Sequence, residues 1–197
     1  MLATDGTLWG TTSLGGAFGA GTIYKIANGV FSSVYSFRGG SDGANPAHSP
    51  LLQASDGNFY GDDAVWRRTR QSGTFFKMTP AGVVTILHSF TGKLHNTGDD
   101  EVTTAEDGLQ PGARPTEGPD GLLYGVTGGG GSFGGGIAYR ISKDGSIYQQ
   151  QYTFAGTAEG GGLTSTLVIG ADGNYYGTSQ YGGLFNWGAI SQMTQPQ

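Results

Sequence analysis

The chain has 197 residues, a formal net charge of −5 and no cysteine, and it combines 39 glycines with a charged fraction of only 13%. The acidic balance argues against nucleic acid or an anionic membrane surface as a general partner. Without cysteine there is no disulfide framework and no thiolate metal site, and no apolar run is long enough to predict a membrane-inserted helix. The length suits a single domain over residues 1–197.

One short motif, Asp-Gly followed by an aromatic strand, occurs four times. Its aspartates are spaced 51, 64 and 52 residues apart (Asp5, Asp56, Asp120 and Asp172). A period near 50 residues is typical of propellers and other repeat architectures. Asp-Gly predicts a tight hairpin turn of the primed type, and the aromatic residues after it favour a pleated strand. We therefore expect four repeat units, at about 1–48, 49–110, 111–162 and 163–197.

Each unit divides into four strand-like segments. The first is an apolar run before the Asp-Gly turn, such as 51–55, and the second is the aromatic strand after the turn. The third follows a glycine-rich loop and alternates apolar with polar residues, as in 73–78, which is the period of a half-buried strand. The fourth ends in Ser or Thr followed by Phe, as in 147–154; unit four lacks it, and unit one is short of its first strand. Four short antiparallel strands per unit predict an all-β fold, a β-propeller of about four blades that stands alone or belongs to a larger ring.

Unit one carries the most complete copy of the repeat. It reads Asp5-Gly6-Thr7-Leu8-Trp9-Gly10-Thr11-Thr12, then Gly15-Gly16, Gly21-Thr22-Ile23-Tyr24-Lys25-Ile26 and Tyr35-Ser36-Phe37. This pattern, which extends over nearly the whole chain, resembles the GloVer tandem repeat of bacterial proteins that often carry a C-terminal sorting anchor. The resemblance implies a kelch-like β-propeller that is secreted or displayed at the cell surface, with its export signal outside these residues. It implies no catalytic residues.

Unit two departs from the repeat after its aromatic strand. Where the other units have small residues, it reads Asp62-Asp63-Ala64-Val65-Trp66-Arg67-Arg68-Thr69-Arg70-Gln71-Ser72, which we expect to form a loop. The same unit carries an insertion at about 91–106 with a cluster of charged and polar residues (Lys93, His95, Asp99, Asp100 and Glu101). Because function concentrates on loops held by a rigid scaffold, these two segments predict the functional site.

Three interpretations of unit two remain open. In a binding site, Trp66 would stack on a carbohydrate or another small hydroxylated ligand, and basic side chains would hydrogen-bond to it (Arg67, Arg68, Arg70 and His95). In a hydrolase or lyase acting on a polysaccharide or ester, Asp62 or Asp63 would work with a carboxylate of the insertion as acid and nucleophile or base (Asp99, Asp100 or Glu101). In a purely structural array, Asp62 and Asp63 would pair with the arginines on a solvated loop.

The remaining candidates favour structural roles, and no cofactor is predicted. Asp99-Asp100-Glu101 offers oxygen ligands for calcium, but no spaced D-x-D-x-D-G loop is present, and three scattered histidines give no metal spacing. His88 occupies the position of a tyrosine in other units, so we expect an ordinary strand residue. The aromatic residue three positions after each Asp-Gly predicts packing between blades, with a ring of stacking platforms at the channel mouth as the alternative (Trp9, Tyr60, Tyr124 and Tyr176). The sequence leaves the oligomeric state open.

Overall fold

The computed structural model describes residues 1–46, 50–63, 73–91, 107–156, 160–163 and 165–194, together with the backbone of 94–97 and 100–103. Within these ranges the chain forms antiparallel strands and one short 3-10 turn (Gly40–Asp42), without an α-helix. Correspondingly, this part of the chain contains no helix with the length and apolar character needed to cross a lipid bilayer.

The first two repeats form separate sheets, which we call blades one and two. Blade one contains β1 (Leu8–Thr12), β2 (Thr22–Ala27) and β3 (Val30–Ser36), in that spatial order. Blade two contains β4 (Leu52–Gln53), β5 (Phe59–Asp63), β6 (Thr74–Met78) and β7 (Val84–Ser89). The insertion of unit two contains a two-stranded hairpin that the sequence did not predict, β8 (Leu94–Thr97) and β9 (Asp100–Thr103).

Blades three and four have a first strand that is divided in two. In blade three, β10 (Leu109–Pro111) and β11 (Thr116–Glu117) both pair with β12 (Leu123–Gly129), and β13 (Ile137–Ile141) and β14 (Tyr148–Thr153) follow. In blade four, β15 (Gly161–Leu163) and β16 (Val168–Ile169) pair with β17 (Tyr175–Tyr181), which also pairs with β18 (Ala189–Met193). As the sequence predicted, blade four has no fourth strand among the described residues.

The four Asp-Gly turns are not the primed turns that the sequence suggested. Only their glycines have positive φ, between 78° and 81° (Gly6, Gly57, Gly121 and Gly173). In unit two, for example, the Gly57 N–H donates to the Ala54 carbonyl at 2.9 Å, which is the arrangement of a type I turn followed by a left-handed glycine. The aspartate stabilises this turn, because Oδ1 of Asp56 accepts a hydrogen bond from the Asn58 N–H at 3.1 Å.

Apolar side chains fill the space between successive blades. Between blades one and two, the rings of Trp9 and Phe59 lie 4.5 Å apart. Tyr60 takes the corresponding position between blades two and three, and Tyr124 stacks on Tyr175 at 4.3 Å between blades three and four. The prediction that these aromatic residues pack between blades is therefore confirmed for Trp9, Tyr60 and Tyr124.

In the first three blades an aromatic ring of the third strand lies directly over a glycine of the second strand. The pairs face each other in the strand register (Tyr24 over Gly10, Phe76 over Gly61, Tyr139 over Gly125). A Cβ atom at any of these glycines would lie less than 3.0 Å from the ring. Any larger residue would therefore displace the ring, which explains why glycine follows the aromatic residue in the motif.

Blade four lacks this ring. The partner of Gly177 in the register is Ser191, so the atoms nearest to a Cβ at Gly177 are instead Leu167 Cδ2 at 3.0 Å and Leu163 Cδ2 at 3.3 Å. The space above Gly177 is thus bounded by flexible leucine side chains.

The two end blades expose apolar side chains. Leu8 and Phe31 of blade one are exposed, whereas Phe59 and Val84, at the equivalent positions of blade two, pack against blade one. On blade four, Ile190 is exposed. None of the three interblade clusters combines residues of blades one and four, so within the described ranges the four blades form an open arc.

We predict that Gly125→Ala lowers the free energy of unfolding by about 1–3 kcal/mol, because Tyr139 must leave its position over the glycine. The matched control is Gly177→Ala, which should lower it less because the leucine ends can move aside. Equilibrium urea unfolding of the wild type and both variants measures the two losses. Equal losses would contradict the role assigned to the ring.

Candidate functional site

The described residues contain only part of the site predicted in unit two. Asp62 and Asp63 are the last residues of β5. Asp100 and Glu101 begin β9 and His95 lies in β8, for which the backbone alone is described. The other predicted residues lie outside the described ranges (Trp66, Arg67, Arg68, Arg70 and Asp99).

Asp62 and Asp63 lie in a strand and not in the loop that the sequence predicted. Across β6, Asp62 pairs with Phe75 and Asp63 with Thr74, and both aspartates are only 1% exposed. The expectation of a solvated loop is therefore wrong for these two residues. Because successive side chains of a strand point to opposite faces of the sheet, the two carboxylates enter different sides of blade two and cannot flank one bond together.

Asp63 occupies a position that has a scaffold role in every blade. The equivalent hydroxyl accepts a hydrogen bond from the N–H that begins the third strand, at 3.0–3.1 Å (Thr12, Thr127 and Ser179). In blade two, Oδ1 of Asp63 accepts from the Thr74 N–H at 3.3 Å, and the Thr74 hydroxyl donates to Oδ2. Asp63 thus replaces a hydroxyl with a carboxylate and keeps the backbone contact.

The environment of Asp63 favours its protonated form. The connector from blade one packs on its carboxylate, because a Cβ at Gly43 would collide with Oδ2. Burial raises the pKa of Asp63 to about 6, although hydrogen bonds from Thr74 and from the Ala44 N–H act in the opposite direction. Asp63 therefore titrates close to the range in which general acids and bases work.

Asp62 lies on the side of β5 that faces blade three. Burial raises the pKa of Tyr139 well above its ordinary value, and the nearby negative charge of Asp62 raises it further. Since Tyr139 belongs to the cluster between blades two and three, Asp62 lies at the end of that interface. Its position directly precedes the segment that contains three arginines.

Both departures of unit two leave the blade at the same end. The segment 64–72 connects β5 to β6, and the insertion follows β7. Asp63 pairs with Thr74, and Thr74 pairs with Ser89, so the end of β5, the start of β6 and the end of β7 lie side by side. The Asp-Gly turn lies at the start of β5, at the opposite end.

Asp107 closes the base of the insertion at this same end. Its Oδ2 accepts a hydrogen bond from the Thr91 N–H at 2.9 Å, and its Oδ1 accepts one from the Thr91 hydroxyl at 2.9 Å. The connector between blades one and two has the same arrangement, in which Asp42 accepts from the Arg38 N–H at 2.8 Å and from the Tyr35 hydroxyl. The insertion therefore extends from a scaffold contact that the repeat already contains.

His88 is a strand residue, as predicted. It lies in β7, its ring stacks on Tyr148 at 3.7 Å, and its Nε2 is 3.5 Å from Asp107 Oδ2. Burial lowers the pKa of His88, and the negative charge of Asp107 acts in the opposite direction. These contacts support a structural role.

Where side chains are described, no group of three or more histidine, aspartate and glutamate residues could hold a metal ion. The residues suggested for calcium do not belong to that set (Asp99, Asp100 and Glu101). Calcium binding therefore stays a hypothesis.

A cavity of about 290 Å³ lies between blades three and four, at a place that the sequence reasoning missed. Both blades supply its largely apolar and aromatic lining (Tyr152, Phe154, Leu163, Tyr175, Ser191 and Met193). The sequence contains one sign of this cavity: the third strand of unit four has Ser191 at the position where the other three units have an aromatic residue.

No known protein family profile and no curated protein matches this sequence. Solved structures do share its fold. A candidate gluconolactonase aligns with a TM-score of 0.59 and 14% identity, over 100% of this chain and 62% of that chain. A candidate TolB protein from Agrobacterium tumefaciens aligns with a TM-score of 0.54 and 13% identity, over 100% of this chain and 73% of that chain. A candidate glucose dehydrogenase from Thermus thermophilus aligns with a TM-score of 0.53 and 14% identity, over 99% of this chain and 60% of that chain.

These likenesses show the fold: the chain is a β-propeller, as the sequence predicted. Its four blades span 62% of the length of the gluconolactonase-like chain.

We predict that the effect of Asp63→Asn on stability depends on pH. The pKa of Asp63 is about 6 in the folded protein, against an ordinary value of 3.8. The folded state therefore binds the proton more tightly, so the stability contributed by protonation of Asp63 is fully present below its ordinary pKa of 3.8 and is lost as the pH rises through about 6. When the pH is raised from 4 to 7.5, the free energy of unfolding of the variant, measured in urea, should rise by on the order of 2 kcal/mol relative to that of the wild type.

The control for this prediction is Asp56→Asn. Burial raises the pKa of Asp56, but hydrogen bonds from Asn58 and Tyr60 outweigh it and bring the pKa to about 2. The contribution of Asp56 is therefore lost mainly below pH 4, so between pH 4 and pH 7.5 the difference in stability between wild type and Asp56→Asn should be nearly independent of pH. A difference between wild type and Asp63→Asn that is independent of pH would contradict the raised pKa.

Proposed function

We propose that the protein is a ligand-binding β-propeller whose site lies at the end of blade two, formed by the segment 64–72 and the insertion at about 91–106. The single observation that carries this proposal is that both departures from the repeat leave the same blade at the same end. Two unusual segments that leave a rigid sheet side by side are a common way to build a binding surface.

The chemistry of these loops suits a hydroxylated ligand, and a carbohydrate is the first candidate. Trp66 offers a flat apolar face for a sugar ring, with an N–H at its edge. Arg67, Arg68 and Arg70 offer paired N–H donors for hydroxyl and carboxylate oxygens, and His95 adds a further polar group. Asp62, buried just before this segment, supplies the opposite charge that would orient an arginine.

The structural neighbours are compatible with this choice. Two of them are candidate enzymes for gluconolactone and glucose, and at 14% identity the likeness extends to the fold alone. Because both are candidate enzymes, they are compatible with the enzyme candidate below as well as with a sugar-binding protein. On the resemblance of the repeat, we extend the proposal to a protein that is secreted or displayed at the cell surface.

A hydrolase or lyase acting on a polysaccharide or ester is the second candidate. The observation that favours it is the pKa of Asp63, which burial raises to about 6. A second carboxylate would come from the insertion (Asp99, Asp100 or Glu101), at a separation of about 5–10 Å across a cleft. Because Asp63 is 1% exposed, this reaction would require the ligand to displace the connector that covers it.

We predict that the purified protein binds to an oligosaccharide array and that Trp66→Ala weakens this binding at least tenfold, the loss of about 1.4 kcal/mol of stacking. The array should contain neutral oligosaccharides and uronate-containing ones, since the arginines favour the latter. The matched control is Phe18→Ala, which removes an aromatic side chain, 57% exposed, from the equivalent loop of blade one. Binding should be unchanged in that variant.

Two outcomes would overturn the binding proposal. One is the absence of binding to any oligosaccharide on the array, and the other is equal binding by the Trp66→Ala and Phe18→Ala variants. Turnover in a polysaccharide and ester hydrolase screen, lost in folded Asp63→Asn and in Glu101→Gln, would establish the second candidate instead.

A further inference from the structure

The cavity between blades three and four lies where the preceding interface is filled by two rings. Between blades two and three, Phe75 of β6 meets Tyr139 of β13, with ring centroids 6.1 Å apart and planes at 84°. In the strand register, the residues equivalent to this pair at the next interface are Ala138 and Ser191. Both partners of one aromatic contact are therefore small at the same interface.

This double replacement accounts for the cavity. Loss of two rings from a packed interface leaves empty space, because the surrounding side chains relax only partly. The resulting volume is about 290 Å³. A closed apolar cavity of about half this volume binds benzene. The present cavity is partly open to solvent, since Ile190 and Tyr152 in its lining are exposed, and its volume admits a substituted single ring.

The walls of the cavity reproduce the surroundings of the missing tyrosine ring. Tyr139 lies over Gly125, and its ring is 5.4 Å from that of Phe90 at the end of the preceding blade. The equivalent residues, Gly177 and Phe154, both line the cavity. A planar ring placed here would meet the same flat glycine and the same aromatic neighbour.

We propose that this cavity is a binding site for a small phenolic ring, which takes the place of the side chain that the repeat puts there in other blades. Gln192 of β18 brings a side-chain amide to the lining, with which a phenolic hydroxyl can form a hydrogen bond. The lining residues Ile190 and Tyr152 are exposed, so the ligand can enter from their side. The site is separate from the one proposed on blade two.

The test uses 4-methylphenol, the side chain of tyrosine, with the full chain. Isothermal titration should show saturable binding with a Kd of about 1 mM or tighter, as expected for eight heavy atoms in an apolar cavity. In a ¹H–¹⁵N spectrum of the wild type, the backbone amides of Gly177 and Ser191 should shift on titration, and those of the equivalent Gly125 and Tyr139 should not.

Two variants restore the rings of the repeat, Ser191→Tyr and Ala138→Phe. Each fills the cavity and should weaken binding at least tenfold, with unchanged circular dichroism. The matched control is Val168→Tyr, which adds a ring on the same blade at a position 62% exposed and outside the cavity; its Kd should stay within twofold.

The proposal is overturned if 4-methylphenol at 10 mM neither binds to the wild type nor shifts the Gly177 and Ser191 amides. It is also overturned if either folded cavity-filling variant binds with the affinity of the wild type. Because the spectrum of the wild type is decisive alone, a variant that fails to fold does not remove the test.

Discussion

The contact on which the first three blades depend is the aromatic ring of the third strand packed over a glycine of the second. A Cβ on Gly10, Gly61 or Gly125 would occupy the space of the ring, so this glycine is required wherever the ring is present. The ring in turn fills the interface with the preceding blade, as Phe76 does between blades one and two. Glycine and ring together therefore set both the local sheet packing and the contact between blades.

Repeated residues and departing residues have different roles in this molecule. The aspartates of the Asp-Gly turns are occupied by hydrogen bonds of their own turns, and Asp63 keeps a backbone contact that a hydroxyl makes elsewhere. Residues of this kind maintain the scaffold. By contrast, the two candidate sites lie where a unit abandons the pattern: the charged segments of unit two, and Ser191 facing Ala138 at the last interface. At each departure the strands still pair as in the other blades, and only the side chains at the end or on the face of the blade differ.

Much of the fold could be predicted because its signals are local. The terminal Ser/Thr-Phe placed a strand at 147–154, and the structure has β14 at Tyr148–Thr153. The strand position of Asp62 and Asp63 could not be predicted, because the groups that hold Asp63 come from elsewhere in the chain. Thr74 lies beyond the segment 64–72, and Gly43 belongs to unit one. The cavity was missed for a similar reason: that Ala138 and Ser191 share one interface becomes evident only from the strand register and blade order.

Ligand binding at the departures of unit two is tested most directly by hydrogen–deuterium exchange of backbone amides, measured by mass spectrometry with and without the tightest oligosaccharide from the array. We expect slower exchange in peptides covering 62–73 and 91–107, because the two segments would close on one ligand. The equivalent loops at 12–21 and 127–136 should exchange at unchanged rates. Protection confined to the Asp-Gly turns at the opposite end, or spread equally over all four blades, would contradict a site on blade two.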